Sequence, residues 1–325
     1  ANCWKRSTLG QPVLRIASTL SSKKTTEAPE AVARPLIARL YDMSPRQILQ
    51  RVVARLSGPN TYPPLREVLA SPKHTRSQRL YDFLSRYEAI LARAINWTSI
   101  DFEDREVLEI GAGPVAGWAP LGVFLGSKRY VCVEPYCDPH IMARPELRTY
   151  FRHIYNDLSA IYGPRLDEET FLKRLKSRVE IISERVVDLP KIATFDVQVS
   201  NSCLEHVTPL DETARHLYKL AKPDCSFLHL IDFGNHQPGK SPFDGLYEAP
   251  PATFLAKKDA KVNLLRGPDV LRIFETTGFE VALQPYYTWP HDYRGNIHGY
   301  WSSKYTSGEL FLKAGILAGH RPAKQ

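Results

Sequence analysis

Between residues 105 and 232 the chain alternates short apolar runs with longer segments whose apolar residues recur at helical spacing, and few folds accept that alternation. The runs are EVLEI (106–110), RYVCVE (129–134), VEIIS (179–183), FDVQVS (195–200) and SFLHLID (226–232). Helices are expected between them, over 116–126, RTYFRHIYNDLSAIY (148–162), EETFLKRLKS (168–177) and 208–221. Strands joined through helices form a parallel sheet covered on its faces. A last unit follows: GPDVLRIFETTGF (267–279) as helix, EVALQPYYT (280–288) as strand, then a helix and strand ending near ILAGHRP (316–322). No internal repeat is visible.

The region before this core has a different texture. RPLIARLYDMSPRQILQRVVARL (34–56) and TRSQRLYDFLSRYEAILARAINW (75–97) carry apolar residues at helical spacing and are separated by the proline-rich SGPNTYPPL. Residues 27–100 are therefore expected to form an N-terminal helical cap, and 101–325 the α/β domain. Residues 1–26 contain five Lys/Arg and no Asp or Glu, which reads as a flexible basic tail. Organelle targeting by that segment stays open, although it has no contiguous apolar stretch or convincing cleavage site.

Charge and cysteine usage narrow the partner classes only a little. A net charge of +8 and a pI near 9.1 suit an anionic acceptor, a nucleic acid or a lipid surface. No run of four Lys/Arg residues singles one out, so most of the excess reads as solvated surface. No apolar stretch is long enough to span a bilayer, which leaves peripheral membrane association as the only membrane role. The five cysteines, Cys3, Cys132, Cys137, Cys203 and Cys225, contain no CxxC pair. That argues against a disulfide framework or zinc knuckle and for a reducing, cytoplasmic setting.

The chemistry concentrates where strands end. In VLEIGAGPVAGW (107–118) a strand runs into Gly111-Ala112-Gly113, with Gly117 opening the next helix. Glycines there let a ligand approach the backbone, and the helix start offers free N–H groups. A dinucleotide fold shares this arrangement, so the discriminating residue is Glu109, an acid that would repel a pyrophosphate but suits a cationic ligand. Glu134 closes the next strand, 21 residues beyond Gly113, where a carboxylate can take both hydroxyls of a ribose.

VLEIGAGPVAGW, YVCVEP, FDVQVSNSCLEHV and LAKPDCSFLHLIDF, in this order, resemble the class I methyltransferases that use S-adenosylmethionine (SAM). The nearest likeness is to those whose fourth strand is followed by LEHV, which include quinone and glycan O-methyltransferases. It covers roughly residues 100–285. The resemblance implies a Rossmann-like, seven-stranded, mostly parallel sheet flanked by helices. It also implies Glu109, Gly111, Ala112 and Gly113 around the methionine part of SAM, Glu134 and Pro135 at the ribose, an acid from SERVVD (Glu184 or Asp188) facing the adenine, and Ser200-Asn201 beneath the sulfonium. Val115 stands where the family often has its third glycine, and Gly117 comes two positions later.

In some relatives the Glu-His of LEHV belongs to an E-x-x-E-H metal site. Here Ser202 replaces the first acid, so Glu205 and His206 are expected to orient and pack, with no metal. Oxygen methylation usually needs a base, and His206 and the Asp232/His236 pair, at the carboxyl ends of the fourth and fifth strands, are the candidates. His229, inside the fifth strand, reads as a core histidine. An insertion over 236–262, rich in Pro, Lys and aromatics, should build the acceptor pocket. Tyr247 inside it and Arg266 just beyond it are candidates to bind the acceptor, with Lys257 and Lys258 as further cations and His291 from the aromatic stretch YYTWPHDYRGNIHGYW (286–301).

The expected function is thus O-methylation of a small molecule or glycan hydroxyl, with SAM as cofactor and no nucleic-acid partner. Three other readings remain: a non-catalytic methyltransferase-like subunit for binding or assembly, an RNA or protein methyltransferase, and a nicotinamide-dependent oxidoreductase, which Glu109 disfavours.

Overall fold

The computed structural model describes residues 62–71, 78–95, 97, 99–189, 194–236, 241–256, 261–289, 293 and 295–323. The basic tail and much of the expected cap lie outside these residues. The described residues all belong to one compact unit, Ser57–Gln325.

Two helices precede the sheet, α1 (Leu65–Ala70) and α2 (Gln78–Ile95). Then come β1 (Glu106–Ile110), α3 (Ala119–Phe124), β2 (Arg129–Val133), α4 (Glu146–Tyr162), α5 (Glu168–Arg178), β3 (Val179–Ile182), β4 (Phe195–Asn201), α6 (Leu210–Leu220) and β5 (Ala221–Asp232). The chain closes with α7 (Pro251–Leu255), α8 (Gly267–Thr277), β6 (Glu280–Thr288), α9 (Gly299–Ser302), α10 (Ser307–Leu310) and β7 (Leu312–His320). The strands form one seven-stranded sheet in the order β3-β2-β1-β4-β5-β7-β6. All pairs are parallel except those of β7, which runs antiparallel between β5 and β6. This is the expected Rossmann-like architecture.

Side chains alternate across the sheet, so each strand feeds two cores. Val107, Tyr130, Cys132, Val197 and Val199 face α2 through α5, whereas Leu108, Ile110, Val131, Val133 and Phe227 face α6 and α8. A third cluster joins the insertion to the segment before β7, with Phe243, Leu246, Tyr247, Trp301 and Leu310 at its centre.

Helix ends follow local chemistry. Asp167 caps α5 by accepting from the Thr170 amide at 2.8 Å, and Asp269 closes the start of α8 by accepting from the Arg266 amide at 3.0 Å. The helix expected over 116–126 begins only at Ala119, because Ala116 (φ +62°) and Gly117 (φ +46°) are both left-handed and cannot enter an α-helix.

Strand order reverses between β1 and β4, and in open α/β sheets ligands bind in the crevice at the carboxyl ends of the strands there. Tyr87 of α2 covers this edge. It is fully buried, its hydroxyl donates to Asn201 Oδ1 at 2.8 Å, and its ring meets Tyr286 of β6 edge-on.

Candidate active site

The glycine turn after β1 is held from beneath. Glu109, 3% exposed, accepts from the Trp118 amide at 2.8 Å and from the Tyr130 hydroxyl at 2.9 Å through Oε2. A Cβ on Gly117 would lie 2.1 Å from Glu109 Oε1, so the glycine at 117 makes room for that carboxylate. This is the physical reason for the displaced third glycine. Gly111 (φ +72°) is equally constrained, since a Cβ there would sit 2.5 Å from Cys203 Sγ. Gly113 (φ +68°) differs from both, because a Cβ would meet nothing within 4 Å. Its backbone borders open space, and its amide donates to Glu134 Oε2 at 3.2 Å.

Glu134 follows β2 and is 5% exposed, with its other oxygen accepting from the Tyr136 amide at 3.4 Å. The turn thus presents an unobstructed backbone at Gly113 between two buried carboxylates. Burial raises Glu109 to about 8 despite the two hydrogen bonds that favour its ionised form, and the Glu134 charge adds to the rise. The Glu134 carboxylate beside the Gly113 amide opposes a pyrophosphate. A ligand with a ribose diol and a positive ammonium group fits the same donor and acceptor set.

Other residues expected around a cofactor are placed differently. Pro135 and Glu184 are exposed, beyond β2 and β3 respectively. Asp188 is engaged by Arg185 through two hydrogen bonds of 2.9 and 3.0 Å. Ala112 is a buried residue of the turn itself. Ser200 requires a correction: it is fully buried and its hydroxyl pairs with His229 Nδ1 across the β4–β5 register at 2.9 Å, so its side chain faces the sheet interior. His229 is a core residue, but its Nε2 has no partner, and burial lowers it to about 3, which keeps the ring neutral. Asn201 accepts from Tyr87 as described.

On the neighbouring strands a second group converges. Ser202 (φ +54°) turns the chain after β4 and His236 (φ +55°) turns it after β5, both in a left-handed conformation that costs energy outside glycine. Those turns bring Glu205, His206 and His236 together. His236 Nε2 lies 3.7 Å from Glu205 Oε1 and 3.5 Å from Asp232 Oδ1, His206 Nε2 lies 4.0 Å from Glu205 Oε1, and the two rings meet edge-on at 4.8 Å. Glu205 is 3% exposed, and neither of its oxygens has a hydrogen-bond partner. Burial, with the Asp232 charge behind it, raises this carboxyl to about 8.

His206 donates through Nδ1 to the Lys261 carbonyl at 2.5 Å, which leaves the lone pair of the neutral ring on Nε2. Burial chiefly, with His236 beside it, lowers His206 below the ordinary histidine value. Asp232 is opposed by burial, but hydrogen bonds from His236, Lys313 and the Gly234 amide lower it to about 2. It is therefore a fixed anion that orients His236, not a proton acceptor.

Sequence reasoning missed Asn263. Its side-chain amide donates to the carbonyls of Leu204 and Val207, both at 2.9 Å, and its backbone amide donates to the Glu205 carbonyl at 2.8 Å. This clamp fixes the turn that carries Glu205 and His206. Nothing local to residue 263 signals it, because the partners are more than fifty positions away.

Two acceptor assignments also need correction. Arg266 is 2% exposed, donating to the carbonyls of Phe233 and Leu264 and to the Tyr247 hydroxyl. Tyr247 is fully buried and donates to the Leu310 carbonyl. Both groups brace the insertion against β5. His291, Lys257 and Lys258 lie outside the described residues. Among the described cysteines all are unpaired, and burial pushes Cys132, Cys137, Cys203 and Cys225 upward, as expected of inert packed thiols. No described helix is long and apolar enough to cross a membrane.

Against known proteins, a family model described as a methyltransferase domain matches residues 49–284. No curated protein matches the chain. Similar solved structures include an S-adenosylmethionine dependent methyltransferase from Mesorhizobium loti, 13% identical, TM-score 0.42, over 74% of this chain and 99% of that one. They also include phosphoethanolamine N-methyltransferase 2 from Haemonchus contortus in complex with S-adenosyl-L-methionine, 12% identical, TM-score 0.42, over 80% and 60%. A third is an O-methyltransferase family protein from Burkholderia thailandensis, 14% identical, TM-score 0.40, over 79% and 62%. The architecture stated above rests on the strand order, not on these distant likenesses.

Proposed function

Because the chain belongs to the methyltransferase-domain family, we propose that it moves the methyl group of SAM to a hydroxyl of a small molecule or glycan, with S-adenosylhomocysteine as the second product. The observation that carries the cofactor half is the open backbone at Gly113 set between buried Glu109 and Glu134. SAM, when bound, supplies an electrophilic methyl carbon on a sulfonium. Glu134 accepts the ribose hydroxyls in place of the long Gly113 and Tyr136 hydrogen bonds and the Tyr62 hydroxyl that it now engages. Glu109 keeps the turn in shape through the Trp118 amide and the Tyr130 hydroxyl.

The acceptor half rests on the histidines at the ends of β4 and β5. As the acceptor oxygen bonds to the methyl carbon and the carbon–sulfur bond breaks, the hydroxyl proton passes to an imidazole. His206 Nε2, which carries the lone pair, is the first acceptor, and His236, oriented by Asp232, is the second. In-line displacement otherwise asks for placement of the nucleophile about 3 Å from the methyl and for exclusion of water. Tyr87 and Tyr286 cover the edge and serve that exclusion.

Calorimetric titration with SAM and S-adenosylhomocysteine, beside an NAD control, tests the cofactor half. The expected outcome is binding of both nucleosides and none of NAD, weakened about 10- to 100-fold in Glu134→Ala, the range for losing charged hydrogen bonds. Equal affinity in the variant, or heat only with NAD, overturns the assignment.

A further inference from the structure

We propose that Tyr62 is a plug on the cofactor site: its hydroxyl occupies the Glu134 carboxylate, and SAM enters only as the phenol leaves. The inference rests on the SAM reading above and concerns how access to that same site is regulated. Tyr62 lies at the tip of a short strap, Tyr62-Pro63-Pro64, that leads into α1, and its hydroxyl donates to Glu134.

Counting donors shows why phenol and ribose exclude each other. An ionised carboxyl group offers about four acceptor positions. Glu134 already receives the Gly113 amide at 3.2 Å, the Tyr136 amide at 3.4 Å and the Tyr62 hydroxyl. A ribose diol brings two further donors, one more than the places left. Both amide contacts are long and yield by small shifts, with the turns after β1 and β2 left in place. The phenol is different, because a ring held on the carboxylate stands where the sugar must stand. Glu134 is 5% exposed with the strap in position, so the acid that should meet the ribose is covered.

The way the strap is mounted points the same way, independently of that count. Tyr62 is 36% exposed, and Pro63 and Pro64 are exposed and have no amide proton with which to tie the strap down. Behind them α1 is fixed. Val68 is 1% exposed in the core, and the Pro64 carbonyl accepts from the amides of Glu67 and Val68 at 2.8 and 3.1 Å. An anchored helix, two stiff residues and a polar contact at the tip make a lever that the loss of the tip contact releases. Burial, with the Glu134 charge beside it, holds the Tyr62 phenol well above its ordinary value, so the hydroxyl keeps its proton and remains a donor. The apparent affinity for SAM is then the intrinsic affinity reduced by the fraction of chains whose strap is open.

The test uses the full chain as wild type, Tyr62→Phe and Tyr62→Ala, with SAM affinity read by calorimetry, association by stopped flow and folding by circular dichroism. Tyr62→Phe removes one oxygen from a part-exposed ring and leaves the strap in being. SAM affinity is expected to rise about 3- to 10-fold in Tyr62→Phe, through faster association, and at least as far in Tyr62→Ala. Fluorotyrosine labelling follows the phenol itself: the resonance that is missing from Tyr62→Phe should shift when SAM saturates the wild type. Binding by the variants with none by the wild type would show the plug at its strongest. Equal or weaker binding in Tyr62→Phe beside a wild type that binds SAM overturns the plug alone, as does a Tyr62 resonance that SAM leaves unmoved. If neither wild type nor variant binds SAM, the cofactor reading falls and the plug with it.

Discussion

Glu109 and Glu205 are both nearly inaccessible glutamates at the carboxyl edge of one sheet, and burial raises both to about 8. Their surroundings differ. Glu109 accepts from a backbone amide and a tyrosine hydroxyl and sits in space cleared by Gly117. Glu205 has both oxygens buried and no hydrogen-bond partner, facing two imidazoles just beyond bonding distance. A shifted carboxyl alone therefore does not mark a ligand site. Glu109 is scaffolding under the glycine turn, whereas Glu205 stands beside the two imidazoles at the ends of β4 and β5.

Replacing the satisfied acid should cost most. Glu109→Ala orphans the Trp118 amide and the Tyr130 hydroxyl and leaves a void. The expected loss is about 3 to 5 kcal/mol of stability, read by denaturant titration. A loss under 1 kcal/mol would show that the turn does not depend on this strut.

The pH dependence sharpens the point. Between pH 4.5 and 8 the folded chain keeps a proton on Glu109 that the unfolded chain has released. Stability from this group is therefore full below pH 4.5, falls as pH rises and levels off above 8. Comparing wild type with Glu109→Gln across that window should show the wild type losing on the order of 3 kcal/mol more than the variant. Parallel curves would place the glutamate in a wetter setting than the structure gives it. Smallest is the effect of Glu205→Gln, where neither carboxyl oxygen loses a side-chain partner. Stability should stay within about 0.5 kcal/mol of wild type or rise by up to about 1 kcal/mol. A drop as large as that of Glu109→Ala would erase the distinction between the two sites.

Much of the architecture is legible in the residues because apolar periodicity reports burial directly. EVALQPYYT forms a strand over its full length, and EVLEI and FDVQVS differ from β1 and β4 by at most one residue. The long α4 and α5 stretches match their helical spacing. The helix after the glycine turn starts late because left-handed backbone at 116 and 117 answers to Glu109, a contact between segments. The same limit applies to side-chain roles. Arg266 and Tyr247 have the chemistry of ligand groups, yet packing turned them inward against Phe233 and Leu310. Ser200 has the position of a site residue, yet its hydroxyl faces His229.

Local pattern determined the strands, most helices, the glycine turn and the acids at the ends of β1 and β2, since each is written within a few consecutive residues. Tertiary structure alone decided that Gly117 exists for Glu109, that Asn263 clamps the turn at Leu204–Val207, and that His236 meets Glu205 and His206. Those relations join residues through space with no periodicity along the chain, and only the folded packing of β1, β4 and β5 fixes the distances between them.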